Sequence, residues 1–370
     1  MDVNTLLRDL ADSPAPPTTV DISRAATAGR RRLQVRRLVA ASSAALVTVA
    51  VLLGIGTYVG GTTALPTPPV PAESSPSSSP RPMPGAAPAV FDPMVQYAAF
   101  GWVPPGAPIT ETETARDWMR LGLQYGPGPA PEGSTASPAG DPGSVTLIVS
   151  TAGHGVDIGQ VGAFAVATDA MPAGTPAETV NGRRAERVMA FGYQPALRWE
   201  YAPGAWAVVL VANQPSLDPM ATARRVAADI HFGVDTAVAL PFHPSAIPPS
   251  LRPVEVRVSR GDGAHWGVQV NYGADKKLLS GDWPLTILAV ASTRETGDGA
   301  VIGDPTTTVD GYPARNTPML DGGAGLQLYN VKGVYLELAT HSAATTAQVP
   351  GGMVGLFRSI DLNPDPATWR

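Results

Sequence analysis

The chain contains no cysteine. That excludes disulfides, thiolate metal sites, a lipidated cysteine and a thiol nucleophile together. Histidine is scarce as well: His154, His231, His243, His265 and His341 are the full set. No two of them stand at i, i+4 or in an H-E-x-x-H arrangement, so zinc-protease spacing is absent. The sequence has no G-x-S-x-G elbow, no S-x-x-K nucleophile motif and no Gly-rich phosphate loop closing on Lys-Ser/Thr. Charged residues make up only 15 % of it, and 26 basic residues against 31 acidic leave a net charge of −5. Such a balance argues against nucleic acid as a partner.

What the chain does have is one long apolar run, Leu38 to Val59, whose 22 residues carry no charge. A helix rising about 1.5 Å per residue needs roughly 20 apolar residues to cross a bilayer core. Ser42, Ser43, Thr48 and Thr57 are its strongly polar side chains, and hydroxyls can bond back to their own helix. Arg30, Arg31, Arg32, Arg36 and Arg37 stand directly before the run. By the positive-inside rule they predict a cytoplasmic N-terminus, a single-pass transmembrane helix over 38–60 and an extracytoplasmic remainder at the cell membrane. These membrane-proximal arginines also suit anionic lipid head groups, making the lipid bilayer the first expected partner. Gly56 and Gly60 fit the small-residue spacing of helix dimerisation, while the pattern leaves homo-oligomerisation open. A cleaved signal peptide is the rival reading; against it, the run exceeds the usual 7–15-residue apolar region.

Residues before the span form a basic tail, 1–37. Up to residue 59 there are seven Arg and four Asp, net +3, so the rest of the chain carries −8. Residues 61–90 are rich in Pro, Ser and Ala, with no apolar periodicity, and read as a disordered tether.

From Phe91 the texture changes to alternating apolar residues with frequent turns. Trp118–Tyr125, Ser144–Ser150, Arg184–Phe191, Ala196–Tyr201 and Trp206–Ala212 read as strands. Asn181-Gly182 and Pro203-Gly204 mark turns. Leu217–Ile230 switches to helical period, with Asp218 as N-cap and Pro219 in the first turn.

The pattern then repeats. Thr179-Val-Asn-Gly-Arg-Arg-Ala185 aligns with Thr308-Val-Asp-Gly-Tyr-Pro-Ala314, and Leu197–Trp206 aligns with Leu326–Tyr335, both at an offset of 129 without a gap. Asp229-Ile230 meets Ser359-Ile360 at an offset of 130. The expected fold is α+β: a transmembrane helix followed by two repeated antiparallel-sheet-plus-helix units, 91–235 and 236–370. Pro350, Gly351 and Gly352 interrupt the second terminal helix. Leu197, Trp199, Tyr201, Trp206, Leu326, Leu328 and Tyr335 are expected in the cores.

Val180-Asn181-Gly182, Leu197-Arg198-Trp199, Gly204-Ala205-Trp206 and the helix to Ile230 resemble the C-terminal extracytoplasmic module of bacterial membrane proteins related to anti-sigma factors. The arginine block before an apolar span is similar to uncharacterised actinobacterial single-pass proteins. The resemblance implies a sheet-plus-helix fold and no established chemistry. It departs from zinc-type anti-sigma domains, because the first 37 residues hold neither His nor Cys.

No catalytic, cofactor or metal residues are expected. His154 sits in an Ala-Gly-His-Gly turn. Asp298, Asp304 and Asp321 lie in Gly-rich turns without calcium-loop spacing. Arg260-Gly261-Asp262 reads as hairpin-turn chemistry. Glu111 and Glu113, flanked by threonines, read as a solvated strand edge rather than an acid/base pair. The functional expectation is a non-enzymatic binding or sensing protein for a cell-envelope ligand or protein, with envelope signalling as an extension. The alternatives are an envelope hydrolase with a spatially assembled site, or a structural envelope protein.

Overall fold

The computed structural model describes residues 84–105, 109–124, 143–157, 166–168, 173–190, 194–212, 217–261, 266–274, 283–291 and 304–369. The basic tail, the apolar run with Gly56 and Gly60, the arginines from Arg30 to Arg37 and residues 61–83 of the tether lie outside them.

The first half of the described chain runs β1 (Val95–Phe100), β2 (Ile109–Ala115), β3 (Trp118–Gln124), β4 (Ser144–Ser150), β5 (Gly155–Asp157), β6 (Val166–Thr168), β7 (Thr175–Val180), β8 (Arg183–Ala190), β9 (Gln194–Ala202), β10 (Ala205–Ala212), α1 (Pro219–Ala228) and β11 (Ile230–Ala237). The second half runs β12 (Phe242–Pro244), β13 (Arg252–Arg260), β14 (Trp266–Gly273), β15 (Leu285–Ala291), β16 (Thr307–Val309), β17 (Tyr312–Pro318), β18 (Ala324–Val331), β19 (Val334–Thr340), α2 (Ala343–Gln348), α3 (Gly352–Arg358) and β20 (Ile360–Leu362).

Fourteen of these strands form one sheet, in the order β7-β8-β9-β10-β4-β3-β2-β13-β14-β15-β19-β18-β17-β16. The order reads alike outward from the β2–β13 pair on either side. Each half also closes with a two-stranded ribbon, β1–β11 in the first and β12–β20 in the second. Turn chemistry repeats too. Asn181-Gly182 has φ of 48° and 78°, and Asp310-Gly311 has 50° and 84°. Two successive positive φ values make the type I′ turn whose twist matches the strands it joins.

One face of the sheet holds both cores. Thr114 of β2 lies opposite Met119 on one side and Val256 on the other, so the apolar rows of the two halves share a face. In the first half, Leu121, Val145, Leu147, Leu197, Trp199 and Val209 pack under Met220, Ala223 and Val226 of α1. In the second, Val256, Val268, Ile287, Leu326, Leu328 and Leu336 pack under Val349, Met353 and Leu356. Asp218 caps α1 by accepting from the amides of Met220 and Ala221, with Pro219 following it. Gly351, at φ 70°, leads into α3, so the second cover is broken into two short helices at Pro350.

Two expectations are corrected. The fold is mainly β rather than α+β: strands make up 56 % of it, and the α-helices among the described residues have 10, 6 and 7 residues. The physical reason is that the two sheets do not remain separate units. They join edge to edge through β2 and β13, which buries both inner edges without any helix. The transmembrane and single-pass expectation is also corrected. No helix among the described residues is long and apolar enough to cross a membrane, and residues 38–60, on which it rested, lie outside them.

Candidate functional site

The joint between the halves carries a buried charged cluster on the face away from the helices. Strand β2 alternates Thr and Glu, so Thr110, Thr112 and Thr114 take the helix face while Glu111 and Glu113 take the other. Register then places Glu113 opposite Arg120 of β3 and Arg257 of β13. Both guanidinium groups reach Glu113 Oε2, at 2.7 and 2.9 Å. Both also reach Glu111 Oε1, at 2.9 Å from Arg120 and 3.2 Å from Arg257. Glu113 is fully buried, whereas the Glu111, Arg120 and Arg257 side chains keep 14–18 % of their surface exposed. Two carboxylates and two guanidiniums cancel, so the cluster is internally neutral.

A third carboxyl extends it. Glu255 of β13 sits diagonally across from Glu113 and is nearly buried. Asn271 Nδ2 donates to Glu255 Oε1 at 3.1 Å. The Asn271 carbonyl in turn accepts from Thr286 Oγ1 at 2.9 Å and from Gln269 Nε2 at 3.1 Å. Burial, and then the charge of Glu113, push the Glu255 carboxyl up to about 8. Burial would raise Glu113 too, but Arg120 and Arg257 outweigh it and hold that carboxyl below its ordinary value. The two environments divide the roles: Glu113 is the anion and Glu255 keeps a proton at neutral pH. Among the described residues the buried Glu113 Oε1 has no hydrogen-bond partner, and the Glu255 carboxyl beside it helps to lower the pKa of Glu113.

This overturns the solvated-edge reading of Glu111 and Glu113. Strand β2 is an interior strand with β3 on one side and β13 on the other. Arg120 and Arg257, which sequence reasoning missed, lie 7 and 144 residues from Glu113. Only the pairing of the halves brings the second one in.

Smaller polar clusters stand further out on the same face. In the first half, Glu186 takes Arg198 and Arg184, and these lie over the ring of Trp206 at 5.4 and 6.0 Å. Burial raises the Glu186 carboxyl, yet Arg198 and Arg184 bring it below the ordinary value. In the second half, the Tyr335 hydroxyl donates to Glu337 Oε2 at 2.9 Å, and burial holds the Glu337 carboxyl above its usual range. Trp206 and Tyr335 therefore leave the core expected for them. Each faces away from the helices, while Leu197, Trp199, Tyr201, Leu326 and Leu328 stay within it.

The remaining sequence candidates do not converge. His154 Nδ1 is 3.1 Å from Thr151 Oγ1 in a turn after β4. Arg260 lies over the Trp369 ring at 5.2 Å, and Asp262 and Asp298 lie outside the described residues. Asp304 and Asp321 are exposed. Among the described residues no group of three or more metal-binding side chains is set to hold an ion. The joint thus offers reversible proton binding at a buried interface. Comparison with protein-family models, with curated proteins and with solved structures gives no match for the chain.

Proposed function

We propose that residues 84–369 form a non-enzymatic binding and sensing module, made of two like halves that meet at a proton-responsive joint. The observation that supports this reading is the place of the Glu113–Glu255 pair. It sits on the one strand pair, β2–β13, that joins seven strands to seven. Ionising Glu255 would set a second carboxylate against Glu113 inside the sheet, and like charges there weaken the pairing of the strands that carry them. The groups facing the pair are Glu111 on β2, Arg120 on β3 and Arg257 on β13, with Asn271 and Gln269 of β14 and Thr286 of β15 completing the network.

The sign follows from the folded value lying above the ordinary one. The stability that Glu255 contributes is complete below its ordinary pKa of 4.5 and is lost as pH rises through about 8. The slope for one group reaches at most about 1.4 kcal/mol per pH unit. Glu113 runs oppositely, and what it contributes is lost on acidification below its ordinary range. Denaturant titrations of the full chain from pH 5 to 9 are expected to show stability falling towards pH 8 in the parent. In Glu255→Gln that fall should be largely absent. Amide exchange on β2 and β13, corrected for the intrinsic pH dependence, should rise over the same window in the parent alone. Equal pH profiles for parent and variant would remove the sensing role.

A further inference from the structure

The second half has a cavity that the sequence did not announce. It measures about 240 Å³ and lies where the β16–β17 and β18–β19 turns approach the end of α3 and β20. Val331, Leu336, Phe357 and Leu362 give it an apolar floor, and Lys332 and Arg358 stand at its rim. Arg358 is already committed: its Nε and one terminal nitrogen reach Asp310 at 3.0 and 2.7 Å. Lys332 donates one hydrogen bond, from Nζ to the Leu362 carbonyl at 3.1 Å, and an ammonium has three to give. Among the described residues the rim therefore carries one positive charge without a carboxylate partner, above an apolar floor.

Lys332 also occupies an unfavourable backbone position. It is the first residue of a two-residue turn, Lys332-Gly333, with φ of 52° and 83°. A long side chain with no local hydrogen bond to offer is disfavoured in the left-handed region, where Gly, Asn and Asp serve better. Such an outlier points towards use of the side chain. The first half does without it. At the offset of 129, Pro203 stands in place of Lys332, and Asn181 in place of Asp310. There, Asn181 Nδ2 donates to the Ala228 carbonyl at 3.0 Å, a neutral contact where the second half has the Asp310–Arg358 pair.

We propose that this cavity binds a small organic monocarboxylate, its apolar body on Phe357 and Leu362 and its carboxylate on Lys332. One unpaired cation favours a monoanion over a dianion. The apolar floor favours an acid with a short alkyl or aryl body over a bare inorganic ion. The volume falls below the roughly 300–1,000 Å³ of sites for drug-sized ligands, so the body is small. The proposal rests on this cavity alone and is independent of the joint.

Titration of the full chain, followed by calorimetry and by amide chemical shifts, tests it with hexanoate and phenylacetate as probes. Hexanamide and inorganic phosphate serve as counterparts. Hexanoate is expected to bind with Kd on the order of 0.1–1 mM, at least tenfold tighter than hexanamide or phosphate. Lys332→Asn keeps a residue suited to the left-handed turn, so its Tm should equal or exceed the parent's while the preference for hexanoate over hexanamide disappears. Lys332→Arg should keep that preference. No preference for hexanoate in the parent would overturn the proposal. So would a Lys332→Asn variant that retains the preference, whatever its Tm, since the carboxylate would then not rest on the lysine.

Discussion

Replacing Glu113 by alanine is expected to lower the free energy of unfolding by about 3 kcal/mol, the low end of the range for breaking a buried ion pair. The loss comes less from the missing contact than from what stays behind. Arg120 and Arg257 keep only 18 and 14 % of their side-chain surface exposed, so each would hold a charge with little water around it. Glu111 remains to take part of the load, which places the effect at the low end. Glu111→Ala should cost well under half as much, because its carboxylate is partly hydrated and Glu113 would still serve both arginines. Guanidinium titration at pH 7 reads both effects as a shift in midpoint with an unchanged slope. A sharper consequence concerns Glu255. With Glu113 gone, the repulsion that helped keep Glu255 protonated goes too, and Glu255 can ionise to face Arg257. Glu255→Gln alone should raise stability at pH 7, because the amide stays neutral without taking up a proton on folding. The double variant Glu113→Ala, Glu255→Gln should lose at least about 1 kcal/mol more than the two single changes summed. Simple additivity would show that the three carboxyls do not act as one network.

The strands of this protein are legible where burial differs between the faces. Ser144–Ser150 and Ala205–Ala212 are β-branched runs, and both form interior strands. Asn181-Gly182 and Asp218-Pro219 carry their conformations locally, through a tolerated positive φ and a carboxylate that takes two amides. The joint is different. Ile109-Thr-Glu-Thr-Glu-Thr-Ala115 is polar on both faces, so alternation cannot say which side is covered. Its threonines lie under the core face and its glutamates meet arginines that the linear chain keeps apart. A strand of that composition reads as an edge by every local criterion, and only pairing with β13 makes it the middle of a sheet. The same blindness hid Lys332. A Lys-Gly dipeptide signals nothing in sequence, and the strain appears only once the register of β18 and β19 fixes a two-residue turn.

Trp199→Ala is expected to cost about 4 kcal/mol, within the range for emptying a large buried aromatic site. Trp199 is fully buried, and its neighbours across the strands on either side are Ala185 and Ala207. Neither alanine can grow into the space, and the sheet backbone cannot collapse towards it without breaking register, so the cavity stays open. The second half shows another way to fill the same volume. At the offset of 129 the three positions are Leu328, Ala314 and Leu336, again adjacent across the strands. One half places the bulk in a single tryptophan between two alanines; the other divides it between two leucines. Trp199→Leu alone should therefore leave a smaller cavity and cost about 2 kcal/mol. Adding Ala207→Leu should recover most of that loss, because the pair then reproduces the arrangement of the other half. Denaturation midpoints of the three variants decide the matter. If Ala207→Leu worsens Trp199→Leu, the two halves do not share a packing plan at this position. Trp199→Phe supplies the polar control. The buried indole N–H of Trp199 has no hydrogen-bond partner, so phenylalanine removes an unsatisfied donor along with part of the ring. Its cost should accordingly fall below that of leucine.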